Sequence, residues 1–98
     1  MAHRVAPHAS ADLDDIWYYI AHESGSVEIA DQFIDSITER FFLLAGHPYV
    51  GRPRDDDFGI GLRSFAVGEY VIVYLVADKD VLILRVVHGR RDLEELFG

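Results

Sequence analysis

The hydrophobic pattern of the chain is clearest between Leu62 and Arg91, where three apolar runs alternate with two short polar turns. The turns are Gly68-Glu69 and Ala77-Asp78-Lys79-Asp80, and the runs around them are rich in β-branched and aromatic residues. Runs of about five to eight such residues, closed by short turns, are typical of consecutive antiparallel strands. We therefore expect a three-stranded antiparallel meander, with the almost wholly apolar run from Tyr70 to Val76 as its central strand.

In the first half of the chain the pattern changes to the three- and four-residue spacing of amphipathic helices. The apolar stripe of the first predicted helix consists of Leu13, Ile16, Trp17 and Ile20. This helix begins either at Ser10, as an N-cap, or at Pro7, in the first turn. Gly25-Ser26 separates it from a second helix over Val27 to Ala45. Because so short a turn joins the two helices, they form an antiparallel hairpin.

Two shorter segments complete the pattern. His3 to Ala6 is weakly strand-like and limited by Pro7, so we expect it to add an edge strand to the sheet. Tyr49 to Gly61 combines glycines, a proline and charged residues, as surface loops do. The predicted fold class is α+β: a short N-terminal edge strand and an antiparallel helical hairpin packed on a three- to four-stranded antiparallel sheet. We expect a single domain over residues 1–98.

The net charge of the chain is −8, and it is unevenly distributed. Residues 1–50 contain eight carboxylates and two arginines, whereas residues 51–98 contain nine carboxylates and seven cations. Asp12, Asp14 and Asp15 fall in the first turns of the first helix, where carboxylates complement the helix dipole. Basic residues are more frequent in the predicted sheet and its loops, but they do not form the strongly positive surface that binding to nucleic-acid phosphates requires. This argues against strong direct binding to nucleic acid.

The sequence also argues against several classes of site. There is no cysteine, and therefore no disulfide, thiolate metal site or thiol nucleophile. The five histidines lack a metal-binding spacing, and Asp55-Asp56-Asp57 lacks the rest of a calcium loop, so we expect no metal. The sequence contains no glycine-rich phosphate-binding loop of the P-loop or dinucleotide type, so we expect no cofactor. The N-terminus has no hydrophobic signal core and no apolar run approaches about 20 residues, so we expect a cytoplasmic protein without a membrane span.

Two arginines, Arg63 and Arg85, lie inside the apolar strands, and His88 ends the last strand. A buried charge needs a partner, so each arginine either pairs with a carboxylate on the solvent face or belongs to a shared surface for a ligand or partner. With Tyr70 or Tyr74 nearby, these groups would suit metal-free RNA cleavage, in which arginines stabilise a phosphorane and His88 moves a proton. The chain's one lysine lies in a turn, which argues against this chemistry.

Four groups of short motifs occur in an informative order. They are Ala11-Asp12-Leu13-Asp14-Asp15-Ile16-Trp17 in the first helix, His47-Pro48 with Gly51-Arg52-Pro53 in the loop, Leu62-Arg63 with Tyr70-Val71-Ile72-Val73-Tyr74 in the sheet, and Val86-Val87-His88-Gly89-Arg90-Arg91-Asp92 near the end. In this order and spacing the chain resembles the ParE/RelE superfamily of toxins from type II toxin–antitoxin systems. The likeness covers nearly the whole sequence.

The resemblance implies a small bacterial toxin of a plasmid-stabilising or growth-inhibiting system, neutralised by a cognate antitoxin. RelE-like members are ribosome-dependent mRNA endonucleases, and Arg63, Arg85 and His88 stand where that branch keeps catalytic groups. ParE-like members are non-enzymatic inhibitors of DNA gyrase, and they resemble this chain more closely in the first helix and in the His-Gly-Arg-Arg-Asp ending. We favour the ParE interpretation, with the RNase and a non-toxic binding module of the same fold as alternatives.

The ParE interpretation predicts two sets of contact residues and no catalytic residue. We expect contacts with gyrase from Arg63, Arg85, His88, Arg90, Arg91, Leu96 and Phe97. A ParD-like antitoxin with a ribbon-helix-helix domain would lay a helix and an extended segment over the hairpin and an exposed sheet edge. We expect its contacts to include the aromatic residues outside the apolar stripes: Tyr19, Phe42 and Phe58.

Overall fold

The computed structural model of the protein describes residues 1–90 and Asp92. Its elements in chain order are strand β1 (Ala2–Val5), helices α1 (Pro7–Ser24) and α2 (Val27–Gly46), and strands β2 (Arg52–Pro53), β3 (Leu62–Val67), β4 (Tyr70–Ala77) and β5 (Asp80–His88). Two helices pack on one five-stranded sheet, so the predicted α+β class and the predicted helical hairpin are confirmed. Within the described residues, no helix is both long and apolar enough to cross a membrane.

Helix α1 begins before Ser10, which therefore is not its N-cap. Ala6 takes that position without a side-chain cap, and Pro7 starts the helix, where its fixed φ suits the first turn. Gly25 ends α1 in the left-handed conformation at φ 68°. The Ser26 hydroxyl then caps α2 by accepting a hydrogen bond from the Ile29 N–H at 3.2 Å. Of the two predicted starts, the one at Pro7 is confirmed, and so is the boundary between the helices.

The sheet has the strand order β1-β5-β4-β3-β2. Strands β3, β4 and β5 form the predicted antiparallel meander, and its turns hold Gly68 and Asp78 at positive φ. The sheet differs from the three to four antiparallel strands expected in two respects. Strand β1 runs parallel to β5, and Arg52–Pro53, inside the predicted loop, pairs with β3 as a fifth strand. Neither pairing can be read from the local sequence pattern. The partner of β1 is β5, more than 70 residues away, and β2 is only two residues long.

The core lies between the hairpin and one face of the sheet. Its centre is filled by side chains that are less than 2% exposed: Ile37, Phe41, Leu44, Ile72, Tyr74, Val81 and Ile83. Alternate residues of a strand share a face, so Ile72 and Tyr74 of β4 face the helices and Val73 faces the other way. Burial of this cluster holds the sheet against the hairpin and thereby positions the charged side chains of both layers.

Candidate functional site

Arg85 of β5 forms an ion pair with Asp12 of α1, which is 73 residues away in sequence. Nε of the guanidinium lies 2.8 Å from Oδ2 of Asp12, and Nη2 lies 3.0 Å from Oδ1, so the contact is bidentate. The hydrogen bond to Asp12 raises the pKa of Arg85. The two side chains are only 19% and 11% exposed. The Arg85 guanidinium is therefore engaged inside the protein and is not a free surface cation.

The Asp12 carboxylate also completes the edge of the sheet. Strand β1 pairs with β5 only as far as Ile83, since the chain then turns into α1. Beyond that point the Val86 N–H donates to Oδ2 of Asp12 at 2.9 Å, a hydrogen bond that a neighbouring strand would otherwise supply. The first turn of α1 contains no acidic residue and Asp12 is buried. The prediction that Asp12 complements the helix dipole is therefore wrong: it joins the first helix to the last strand.

Arg63 of β3 has a different set of partners. Its Nη1 donates to the carbonyl oxygens of Tyr49 at 3.2 Å and Gly51 at 2.8 Å, and its guanidinium lies 5.0 Å from the centre of the Tyr49 ring. The Tyr74 hydroxyl accepts from the Gly51 N–H and donates to the Pro48 carbonyl, both at 2.9 Å. Burial raises the pKa of Tyr74. Two side chains of the sheet thus hold the segment from Pro48 to Gly51 in place.

The strand register places Arg63 and Arg85 on opposite faces of the sheet. Arg63 pairs with Tyr74, whereas Arg85 pairs with Val73, and successive residues of β4 face opposite ways. The structure therefore does not bring Arg63, Arg85 and His88 together, which corrects the cluster expected from the sequence. The sequence allowed each strand arginine to pair with a carboxylate. Arg85 does so with Asp12, whereas Arg63 donates to main-chain carbonyls.

His88 lies at the end of β5, beside the turn between β3 and β4. Its Nε2 is 3.6 Å from Oε2 of Glu69, and its ring meets that of Tyr70 edge-on with centroids 5.4 Å apart. The His88 N–H donates to the Asp92 carboxylate at 3.0 Å. Arg90, two residues further on, is exposed. Of the residues expected to bind the target, His88 and Arg90 therefore share one end of the sheet.

A crevice of about 290 Å³ opens beside His88, between the hairpin and the β3–β4 turn. Its lining includes Tyr19, Ile20, Phe33, Glu69, Tyr70 and His88. The structure thus brings Tyr19, expected to contact the antitoxin, next to His88, expected to contact the target. The remaining residues expected to bind the target, Arg91, Leu96 and Phe97, lie outside the described residues.

The other two aromatic residues expected to contact the antitoxin lie near opposite edges of the sheet. Phe42 is 70% exposed on α2, and its ring meets that of His3 in β1 edge-on with centroids 4.7 Å apart. Phe58 is partly buried in the loop after β2, where its ring centre lies 4.5 Å from the Arg54 guanidinium. Since β1 and β2 are the two edge strands, Tyr19, Phe42 and Phe58 do not form one continuous surface.

Sequence reasoning missed the partners of both strand arginines. Asp12 stands four residues before Ile16 and so lies on the buried stripe of α1, where a carboxylate needs a partner. That position was the available signal. Nothing in the sequence around Gly51 indicates that its carbonyl binds Arg63. In the structure, a Cβ added at Gly51 would lie 2.3 Å from the Tyr74 hydroxyl oxygen, so only glycine fits there. The close approach of Gly51 to Tyr74 appears only once the chain is folded.

Comparison with known proteins places the chain in a family. Over residues 4–93 the sequence matches the family described as ParE toxin of type II toxin-antitoxin system, parDE. The chain belongs to the ParE toxin family. The predicted membership of the ParE/RelE superfamily, closer to the ParE branch, is therefore confirmed, and this ParE protein is the toxin component of a type II toxin–antitoxin system.

Individual relatives resemble this ParE protein along most of their length. Toxin ParE3 of Caulobacter vibrioides is 34% identical over 89 residues, which cover 91% of this chain and 87% of the relative. Toxin ParE1 of the same organism is 37% identical over 86 residues, covering 88% and 86%. A solved structure titled chromosomal ParDE TA system from P. aeruginosa superposes with a TM-score of 0.78 at 25% identity, covering 90% of this chain and 95% of that one. The likeness extends over nearly the whole fold.

Proposed function

We propose that this ParE protein acts by binding DNA gyrase in the cytoplasm, and not by cutting RNA. The observation that carries the proposal is the internal engagement of both strand arginines. Metal-free RNA cleavage needs cations that are free to stabilise a developing phosphorane. Arg85 instead holds Asp12, and Arg63 holds the carbonyls of Tyr49 and Gly51. The net charge of −8 also disfavours a site built to bind phosphates.

The surface proposed to contact gyrase is the end of β5 and the chain that follows it. His88 and the exposed Arg90 supply the described part of this surface, and Arg91, Leu96 and Phe97 follow in the sequence. In this proposal Arg63 and Arg85 support the contact surface without touching gyrase, since their guanidinium groups are hydrogen-bonded to other parts of the protein. Arg85 fixes the path of β5 by tying it to α1, three residues before His88.

The partner that neutralises the toxin is, in this proposal, a ParD-like antitoxin with a ribbon-helix-helix domain. Membership of a type II toxin–antitoxin family and the fold shared with a chain of a ParDE system support this partner. Tyr19, 48% exposed, is a contact candidate on α1, and Phe42 is one on α2. Because Tyr19 and His88 line the same crevice, an antitoxin segment bound there would cover part of the surface that contacts gyrase.

A supercoiling assay tests the proposal. We expect the purified protein to stop supercoiling by gyrase while leaving ribosome-bound mRNA intact. Arg90→Ala removes an exposed cation from the contact surface and should raise the half-inhibitory concentration about tenfold, equivalent to about 1.4 kcal/mol. Arg52→Ala removes another exposed arginine, from β2, and is the matched control; it should leave inhibition unchanged.

Two results would reject the gyrase proposal. Codon-dependent cleavage of mRNA that is lost in Arg63→Ala or His88→Ala would establish the RNase alternative. Binding to the antitoxin without growth arrest when the toxin is expressed alone would instead establish a non-toxic binding module. Equal inhibition by wild type and Arg90→Ala would remove the end of β5 from the proposed contact surface.

A further inference from the structure

The charge of Arg63 is not balanced by any carboxylate in the part of the chain that the structure describes. Among the described strand arginines, Arg63 is the only partly buried one without such a partner, because Arg85 is paired with Asp12. The contacts of Arg63 are two carbonyl oxygens and the Tyr49 ring, all of which are neutral. A partly desolvated cation is attracted to an anion more strongly than a fully solvated one. The position of Arg63 therefore favours an anionic ligand.

One edge of the Arg63 guanidinium is open to solvent. Both hydrogen bonds to carbonyls come from Nη1, and within the described residues Nε and Nη2 have no hydrogen-bond partner. Every buried side-chain nitrogen of the described chain has a partner, so Nε and Nη2 reach the surface. These are the same two atoms with which Arg85 binds both oxygens of Asp12. With its orientation fixed through Nη1, Arg63 offers the edge that this protein uses elsewhere to bind a carboxylate.

A crevice of about 220 Å³ opens beside Arg63. Its walls are partly apolar and include Tyr49, Pro53, Leu62 and Val76. The volume is smaller than the roughly 300–1,000 Å³ of sites for drug-sized ligands. It suits a short aliphatic stem that ends in a single charged group.

Asp55 restricts the charge that the crevice accepts. Its carboxylate lines the same crevice, and its Oδ1 accepts a hydrogen bond from the Gly61 N–H at 2.7 Å, which holds it in place. Asp55 and Arg63 form no ion pair with each other, so the carboxylate does not neutralise the guanidinium. A fixed negative charge repels a dianion more strongly than a monoanion. The crevice therefore favours a carboxylate over a phosphate.

We propose that this crevice binds a monocarboxylate with a short aliphatic stem, either a free acid or the aspartate or glutamate side chain of a partner protein. Nε and Nη2 of Arg63 bind the two carboxylate oxygens, and the apolar walls contact the stem. The site differs from one for RNA cleavage, because Arg85 lies on the opposite face and His88 pairs with Tyr70, toward the other end of the sheet. The proposal does not depend on gyrase as the target.

A titration with propionate, followed by NMR at the Nε–H resonance of Arg63, tests the site. Propionamide has the same shape without the charge and is the matched ligand control. We expect propionate to shift the resonance until it saturates, and propionamide to bind at least about tenfold more weakly. Equal binding of the two compounds, or no shift with propionate, would overturn the proposal. Tighter binding of phosphate than of propionate would also overturn it.

A conservative substitution separates the geometry of the guanidinium from its charge. Arg63→Lys keeps the charge and loses the pair of parallel donors, so propionate should bind about tenfold more weakly, measured at the Gly61 amide. Arg52→Lys makes the same change at an exposed arginine of β2 and is the matched control; it should leave the affinity unchanged. Equal weakening in both variants would show that the acid responds only to the overall charge, against the proposed site.

A second variant tests the crevice without changing Arg63. Asp55→Asn removes the negative charge and keeps a side-chain oxygen that can accept from the Gly61 N–H, so the loop retains its hydrogen bond. Propionate should then bind about two- to threefold more tightly. An affinity that is unchanged or lower would mean that the acid does not bind beside Asp55, and would overturn the proposal even if Arg63→Lys does not fold.

Adding the cognate antitoxin distinguishes the two sources of the carboxylate. If an antitoxin side chain supplies it, propionate should no longer shift the Gly61 amide in the toxin–antitoxin complex. If the ligand is a free acid, the shift should persist in the complex. Both results support the carboxylate site, and neither bears on the target. A toxin that binds propionate and fails to inhibit supercoiling would reject gyrase and leave the crevice assignment intact.

Discussion

Arg63 and Arg85 lie on β3 and β5, the two strands that flank β4, yet they are accommodated in different ways. Arg85 meets the Asp12 carboxylate of α1 at the edge of the sheet, whereas Arg63 meets two carbonyl dipoles and an aromatic ring from a nearby loop. The first contact balances charge and joins α1 to β5. The second leaves the positive charge formally unbalanced and fastens a surface segment. Removing the contacts of Arg85 should therefore lower the free energy of unfolding more than removing those of Arg63.

Asp12→Ala should have the largest effect on stability. It leaves the mostly buried Arg85 guanidinium without its counter-charge and the Val86 N–H without an acceptor. We expect the free energy of unfolding to fall by about 3–5 kcal/mol, measured by urea denaturation at neutral pH. Asp14→Ala, an exposed aspartate of the same helix, is the matched control and should change the free energy of unfolding by less than about 0.5 kcal/mol.

A double variant separates the charge from the main-chain hydrogen bond. Asp12→Ala/Arg85→Met removes the unpaired charge together with its partner, so it should be more stable than Asp12→Ala alone. It should remain less stable than wild type, because the Val86 N–H still lacks an acceptor. If the double variant is no more stable than the single one, charge balance is not what distinguishes Arg85 from Arg63.

Arg63→Ala should have a smaller effect, a loss of about 2 kcal/mol in the same measurement. The variant loses hydrogen bonds to two carbonyls and the contact with the Tyr49 ring, but it leaves neutral groups near the surface that water can solvate. Arg4→Ala is the control, since the Arg4–Asp80 pair is exposed and should contribute less than about 0.5 kcal/mol. A loss as large as that of Asp12→Ala would contradict the distinction between the two arginines.

Tyr74→Phe should have the smallest effect of the three and a characteristic dependence on pH. The variant loses the hydrogen bonds to Gly51 and Pro48 and should be about 1–2 kcal/mol less stable near neutral pH. Burial raises the folded-state pKa of Tyr74 above its ordinary value of 10.0. The stabilisation is therefore fully present below about pH 10 and is lost as pH rises from there through the raised pKa.

The measurement for Tyr74 is the difference in stability between wild type and Tyr74→Phe as a function of pH. Other groups titrate in both proteins and cancel in the difference. The difference should be constant up to about pH 9 and narrow above pH 10, where the unfolded tyrosine ionises first. A difference that widens with rising pH would mean that the Tyr74 hydroxyl is not buried as a neutral group.

The parts of the fold that local sequence specifies were predictable. The meander has short turns at Gly68 and Asp78, and the helical boundary at Gly25 and Ser26 carries its own capping chemistry. The parallel pairing of β1 with β5 was not predictable, because it joins the two ends of the chain and depends on the position of the hairpin. Secondary structure is encoded over a few residues, whereas strand order depends on what the intervening elements cover.

The candidate site was predictable only as a set of residues and not as an arrangement. A strand arginine requires a partner, but residue spacing does not reveal whether that partner is Asp12 on another layer or the carbonyl of Gly51. The face on which each arginine lies depends on the register across β4, including the irregularity at Val73 and Tyr74. A shift of one residue exchanges the two faces of a strand, which is why Arg63 and Arg85 did not form the expected cluster.

The position of Pro53 in the edge strand β2 also bears on solubility. The Arg54 N–H donates to the Leu62 carbonyl of β3 at 2.8 Å, so the preceding residue, Pro53, faces away from the sheet, where it has no N–H to offer. Ordered polymerisation by strand addition requires two competent edges on every molecule, so that each added copy offers a fresh template to the next. With the proline blocking one side, two copies could join through β1 and growth would stop at that pair. The protein is thereby protected from forming fibres through its own sheet.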